Sequence, residues 1–281
     1  MMYRRSASGF TLTELALVTV IVSLLLASLM YTMSAQTEQR NFEDTRRRLE
    51  QARDLVMAFA LANGRLPCPA RVTSTANHSQ GLESFCPAST GSCLSSETTT
   101  VQTHGNCSNY YDGYLPAASI GWPIVDVQGF AVDGWGNRLR YAVTKLPTVC
   151  AAPAGTLVFT SSANLKTYGL ACQPSDLLLC RSSTGPITGS SCSAAANQAV
   201  ATNVLAALIF STGKNFGTAT TAAAAVTAGR PDEAANLDGD ASFVFHVPAP
   251  TGAANGEFDD QMVWITVGEV YSRLISAGLL P

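Results

Sequence analysis

Charge, histidine and the common catalytic signatures are all scarce in this 281-residue chain. Only 13% of its residues are charged, and 17 Lys+Arg against 20 Asp+Glu leave a formal net charge of −3. A balance of that kind argues against a nucleic-acid binder, because phosphate contacts need clustered cations. The three histidines, His78, His104 and His246, are not spaced as ligand pairs, and no Cys-x-x-Cys occurs, which argues against zinc. Ser211-Thr212-Gly213-Lys214-Asn215 lacks the upstream glycine and the final Ser/Thr of a phosphate-binding loop, and Gly189–Ser193 is not a hydrolase elbow. No enzyme is expected. With 47% apolar residues the chain has ample material for a core, so wholly disordered and fibrous readings fail as well.

The charges that do exist are unevenly placed. Leu15–Thr37 contains none, whereas Glu38–Asp54 holds ten in seventeen residues. As a helix the charge-free run would be about 35 Å long, enough to span a bilayer core of about 30 Å with some tilt. An ordinary secretory signal has a shorter apolar core followed by a small-residue cleavage site. The helix is expected to continue beyond the run. Phe42, Leu49 and Val56 fall seven apart, with Thr45, Ala52 and Phe59 between them, giving one apolar stripe. Glu43–Arg47 and Asp44–Arg48 have favourable i,i+4 spacing, and Asn63-Gly64 followed by Pro67 and Pro69 stops the helix.

Before the run stand a short polar leader, Met1–Gly9, and then Phe10-Thr11-Leu12-Thr13-Glu14-Leu15. This stretch resembles the N-terminus of type IV prepilins and pseudopilins: glycine before the cut, phenylalanine first in the mature chain, glutamate fifth. The resemblance implies cleavage between Gly9 and Phe10 by a prepilin peptidase, N-methylation of Phe10, and pairing of Glu14 with a neighbouring subunit's terminal amine. It also implies other pilin or pseudopilin subunits, an inner-membrane assembly platform and the lipid bilayer as partners, with no nucleic acid. Loss of Arg4 and Arg5 with the leader would take the net charge to −5. An acid within a spanning helix costs about 2.5–3.5 kcal/mol on insertion scales, which independently marks Glu14 as functional. The five arginines that follow the span, against two before it, count the other way on orientation and would place the C-terminal bulk in the cytoplasm.

The fold class expected is α+β: a long N-terminal helix, transmembrane in its first half and amphipathic in its second, packed on an antiparallel β-sheet with disulfide-stapled loops. Four segments follow: leader 1–9, membrane segment 10–37, amphipathic continuation 38–63, and a periplasmic globular domain 64–281. Strands are predicted at Trp122–Val127, Leu139–Val143, Leu157–Thr160, Leu177–Leu179, Phe243–Val247 and Met262–Val267. Val200–Phe210 reads as a helix or a buried strand, its alanines favouring helix, and Val270–Ala277 as a helix. Residues 70–119 and Thr218–Ala228 read as loop. Asp133-Gly134-Trp135-Gly136-Asn137 reads as a turn and resembles the Asp-Pro-Trp-Gly-Asn-Pro segment of pseudopilin domains, with Gly134 and Arg138 in place of the prolines.

All eight cysteines, Cys68, Cys86, Cys93, Cys107, Cys150, Cys172, Cys180 and Cys192, lie beyond the membrane segment, and their even number suggests disulfides formed in an oxidising periplasm. Their pairing is left open among 105 possibilities. Acids gather at Asp238-Gly239-Asp240 and at Glu257, Asp259 and Asp260. Calcium at Asp238 and Asp240 is the cofactor these offer, a metal some pseudopilins bind near their C-terminal loops, with solvated turn acids as the plainer reading. The expected function is a minor pilin or minor pseudopilin, a filament subunit held in a bacterial inner membrane before assembly. The rival readings are a tip adhesin or DNA-uptake subunit acting through Ser/Thr-rich loops, and a membrane-anchored periplasmic enzyme.

Overall fold

One uninterrupted helix, α1 (Leu12–Asn63), opens the structure, a computed structural model that describes residues 11–71, 81–93, 96–145, 147–150, 152–174, 176–184, 192 and 195–280. The chain divides within this helix into two compact units, the first ending at Glu43 and the second running Asp44–Pro281. In the first unit the apolar side chains stand outward. Leu12 is 86% exposed and Leu17 64%, and Val20, Leu24 and Leu26 are also exposed. Among the described residues no helix is long and apolar enough to cross a membrane, and the side chains of residues 28–35, inside the charge-free run, lie outside them.

The part of α1 in the second unit is amphipathic as expected. Thr45, Leu49, Ala52, Val56 and Ala60 are buried at three- and four-residue spacing, while Arg46, Arg47 and Glu50 stay exposed. Burying Leu49 or Val56 contributes about 1.5–3 kcal/mol apiece. Asp44 and Arg48 pair at 2.6 Å. The other expected pair does not form: Arg47 turns to Asp44 at 3.4 Å, and Glu43 instead accepts from Gln39 Nε2 at 2.8 Å. Gly64 ends the helix at φ +65°, its N–H returning to the Ala60 carbonyl, a left-handed cap that a residue with a Cβ adopts only at a cost.

After α1 come β1 (Gly113–Tyr114), α2 (Ala117–Ile120), β2 (Arg140–Val143), β3 (Pro147–Val149), α3 (Ser162–Tyr168), β4 (Gln173–Pro174) and β5 (Leu178–Cys180). The chain then continues through β6 (Leu205–Ser211), α4 (Ala222–Thr227), α5 (Pro231–Ala235), β7 (Ser242–Val244), β8 (Gln261–Thr266) and α6 (Val267–Ser276). The main sheet is antiparallel in the order β1-β2-β6-β8, with Tyr141 opposite Ile209 and Ile209 opposite Val263. Two small ladders accompany it, antiparallel β3–β4 and parallel β5–β7. The protein is thus a mixed α and β fold with an antiparallel sheet and four disulfides.

Strand β6 explains the layering. It is central, and all seven residues are buried. Ala207 and Ile209 point into the cluster that holds Leu49, Val56 and Ile265, so the helix stripe and the sheet share one core. Leu208 and Phe210 point into a second cluster with Phe243 and Met262 on the opposite face. That alternation is what a pleated strand covered on both faces produces. Arg53 fastens helix to sheet from the side, donating to the Trp264 carbonyl at 3.1 Å and to both Glu269 oxygens at 2.6 and 2.7 Å.

Several expected elements are corrected. Residues 205–211 form a strand, because a place between two neighbours outweighs the weak helix preference of alanine. Trp122–Val127 makes only an isolated bridge at Val125, and Leu157–Thr160 is not a strand, although Leu157, Val158 and Phe159 fill the core. Residues 218–228 contain helix α4, whose start is capped by Thr221 Oγ1 accepting from the Ala224 N–H. The described residues of segment 70–119 are largely irregular, as expected, with β1 and the start of α2 at its end. The cysteines pair as Cys68–Cys107, Cys86–Cys93, Cys150–Cys172 and Cys180–Cys192, and none is free.

Candidate functional site

Gly9 and Phe10, the expected cleavage and methylation residues, lie outside the described residues. Glu14 is described, and exposed in the first turn of α1. Its Oε2 accepts from the Thr11 N–H and the Thr11 hydroxyl, both at 2.9 Å, while the Glu14 N–H donates to Thr11 Oγ1 at 3.3 Å. Thr-x-x-Glu therefore closes a capping box, a local role that the sequence reading had not assigned to this acid. A carboxylate there also suits the positive end of the helix dipole.

The tryptophan turn stands where expected and joins three elements. Asp133, 2% exposed, accepts from the Trp135 and Asn137 N–H groups at 2.8 Å each through Oδ1, and from the Ser211 hydroxyl at 2.6 Å through Oδ2. Burial pushes its carboxyl up from the ordinary range, and these donors offset part of that. Gly134 N–H donates to Thr45 Oγ1 at 2.9 Å, and Arg48 Nη1 donates to the Val132 and Asp133 carbonyls at 2.9 and 2.8 Å. Asn137 reaches the Gly213 carbonyl at 2.6 Å. The turn thus ties α1 to β6 and to the loop after it, which is a packing role.

That loop leads to a cluster of buried acids. Glu233 in α5 and Asp259 and Asp260 before β8 are 3%, 9% and 3% exposed, and one oxygen from each lies within 4.8 Å of the others. Glu233 accepts from Arg230 Nη1 at 2.9 Å, Asn215 Nδ2 at 2.8 Å and the Asp259 N–H at 3.1 Å. Asp260 accepts from Asn236 Nδ2 at 2.7 Å. Asp259 differs: neither of its oxygens makes a hydrogen bond of normal geometry. Burial pushes its carboxyl up to about 7, with the charges of Glu233 and Glu257 adding to the shift and Lys214 and the Asn215 backbone N–H opposing it. Burial, and then Glu233, push Asp260 well above the ordinary range; Glu233 is raised less, again chiefly by burial.

The expected calcium pair is placed elsewhere. Asp238 and Asp240 are exposed, and their carboxylates cap their own turn, accepting from the Asp240 N–H at 3.0 Å and the Ser242 N–H at 2.6 Å. Among the described residues, Glu233, Asp259 and Asp260 form the group of three potential ligands. Asp259 and Asp260 belong to an acid cluster visible in the sequence; Glu233 was missed. A signal existed, since Asp232-Glu233 and Asp259-Asp260 are the adjacent acid pairs beyond residue 64. No family model matches the chain, and neither a curated protein nor a solved structure matches it.

Proposed function

We propose that this chain is a pilin-like filament subunit, a minor pilin or minor pseudopilin. In this reading it is cut between Gly9 and Phe10, methylated on Phe10, and held by α1 in a bacterial inner membrane until it joins a filament. The observation that carries the reading is the surface of α1 between Leu12 and Leu26, where the described leucines, valines and isoleucine are exposed and unaccompanied by charge beyond Glu14. Such a surface is costly in water and needs lipid or neighbouring helices to cover it. In the same helix, the stripe from Thr45 to Ala60 is buried in the core of the second unit. A helix with one covered and one uncovered stretch is what assembly through a helix requires. Four disulfides in the second unit support export to an oxidising compartment, against the arginine count.

Glu14 supplies the test, because its capping and charge-pairing roles separate chemically. Glu14→Gln preserves the capping box, since glutamine serves in that motif, and removes the charge. Intact mass spectrometry of the membrane-extracted chain is expected to find Phe10 as the methylated N-terminus in wild type and variant alike. Incorporation into sheared filaments is expected to fall at least tenfold for Glu14→Gln. Normal incorporation by the variant would remove the registration role. A chain retaining residues 1–9 with free thiols would overturn the subunit reading itself.

A further inference from the structure

Among the described residues of the second unit, eight large hydrophobic side chains are exposed, and three of the eight, Ile124, Val125 and Val127, fall within four residues. Pro123 is exposed beside them, and no charged residue stands between Asp112 and Asp126. Single exposed apolar residues are ordinary, whereas a group marks a surface that something covers. The turn that carries this group is firmly built. Asp126 Oδ1 accepts from the Gln128 and Phe130 N–H groups at 2.9 Å each, and the Asp126 N–H donates to the Phe130 carbonyl at 2.8 Å. Gly129, at φ +86°, permits the reversal. Trp122 is buried and donates from Nε1 to the Ile124 carbonyl at 2.6 Å. The polar side chains of the turn are drawn back to Arg138: Asp126 Oδ2 accepts from its Nε at 2.7 Å, and Gln128 Oε1 from its Nη2. That guanidinium lies 4.2 Å from the centre of the buried Phe130 ring. Val127 is left fully exposed at the tip. Because the one acid of the turn is paired, the tip can enter an apolar medium without stranding a charge.

We propose that Ile124, Val125 and Val127 form a membrane contact, a loop tip that enters the boundary between headgroups and acyl chains. The inference rests on the membrane anchorage proposed above for α1 and adds a second point of attachment to it. Position within the second unit favours lipid as the occupant. The turn belongs to the end of the unit where α1 enters. Val125 is bridged to Ala131, and the next residues, Val132 and Asp133, offer their carbonyls to Arg48 Nη1, while the Gly134 N–H holds Thr45. Thr37 closes the charge-free run eight residues before Thr45, a span of at most about 28 Å even for a fully extended chain. This end of the unit is therefore tethered near the bilayer surface however the intervening chain runs. Tethering makes a small apolar contact effective, because the second attachment is intramolecular. The opposite end supplies a natural control. Gly64 stands about 29 Å along the helix from Thr45, and Ser162 lies against it. Ser161 donates from Oγ to the Thr103 carbonyl at 2.7 Å, in the loop that carries the exposed Val101.

The experiment places the full chain, one copy per disc, in phosphatidylcholine nanodiscs. The native cysteines are all paired, so Val127→Cys and Val101→Cys each offer one thiol to an environment-sensitive fluorophore. Exchanging the lipid for phosphatidylcholine brominated on its acyl chains is expected to cut emission from position 127 by half or more and to leave position 101 unchanged. Should Val127→Cys fail to fold, the wild-type chain decides. A phosphatidylcholine carrying a photoactivatable diazirine on its acyl chain is expected to mark residues 123–127 and not Val101, mapped by peptide mass spectrometry after reduction. Emission from position 127 as indifferent to bromine as that from position 101, or a wild-type chain without lipid adducts at 123–127, would overturn the contact; retention of the chain in the disc would then leave the anchorage standing. Shielding of position 127 that arises only when two copies share a disc would assign the tip to a second copy and overturn the lipid assignment. A chain that leaves the disc altogether would overturn the anchorage, and this inference with it.

Discussion

The ion pair just past the end of α1 offers a sharp test of how the second unit is held together. Arg65 and Glu83 are each 5% exposed and meet through two bonds, Nη1 to Oε1 at 2.6 Å and Nη2 to Oε2 at 2.9 Å. The Cys68 N–H also donates to Glu83 Oε1 at 2.7 Å, and the guanidinium lies over the rings of Phe59 and Phe85 at 5.2 and 5.3 Å. Glu83→Gln keeps the volume and an oxygen for the Cys68 N–H but leaves the Arg65 charge buried without a counterion. Breaking a buried pair in this way costs about 3–5 kcal/mol. At about 2–4 °C per kcal/mol for a domain of this size, Tm should fall by about 6–20 °C. Adding Arg65→Met removes the stranded charge while the glutamine still serves Cys68. The double variant should therefore recover most of the loss, because apolar replacement of a buried pair is often close to neutral. Thermal unfolding of the disulfide-intact chain in detergent, followed by near-ultraviolet circular dichroism, measures both. A single variant within about 1 kcal/mol of wild type, or a double variant no better than the single, would refute the claim that uncompensated charge dominates.

Two further outcomes follow from the same structure. The disulfides Cys68–Cys107 and Cys86–Cys93 close loops with sequence separations of 39 and 7; chain entropy predicts that replacing each pair by serine costs about 4 and about 2.4 kcal/mol, measurable by urea unfolding, and the reverse order would sink the entropic argument. Tyr110, 5% exposed, has its phenol pushed up to about 12, chiefly by burial, with the Cys107 N–H and Thr160 pulling the other way. A folded value raised above the unfolded 10 means the native chain holds the proton longer. Its contribution is whole below pH 10 and declines, by about 2–3 kcal/mol, as pH rises towards 12. Tyr110→Phe should flatten that decline in unfolding free energy, and an unchanged slope would assign it to other groups.

What the sequence disclosed, and what it hid, divides by the range of the interactions involved. Helix α1 was legible because its signals are local: a charge-free run, a heptad stripe, and Asn63-Gly64 at its end. The stripe's second half is buried as spaced, and Gly64 adopts the left-handed cap. Strands β2 and β8 and helix α6 were legible for the same reason. Strand β6 was not, because Leu-Ala-Ala-Leu carries helix propensity by itself and becomes a strand only between β2 and β8, where both faces are covered. Helix α4 was obscured by an Ala/Thr stretch whose one informative residue, the Thr221 cap, is common in loops as well.

The acids show the same division most clearly. Asp238-Gly239-Asp240 has the spacing that a ligand loop would use, yet that spacing is equally the grammar of a turn, and each carboxylate is satisfied within two residues. A metal site needs the opposite condition: oxygens that local backbone does not satisfy. Glu233 and Asp259 stand 26 residues apart and become neighbours only because α5 and the approach to β8 fold against the loop after β6. Of the two adjacent acid pairs beyond residue 64, Asp232-Glu233 in α5 and Asp259-Asp260 before β8, all four side chains are buried. Among these four, Asp259 alone lacks hydrogen bonds of normal geometry. No local pattern announces that condition, because it is set by the packing of α5, the approach to β8 and the loop after β6.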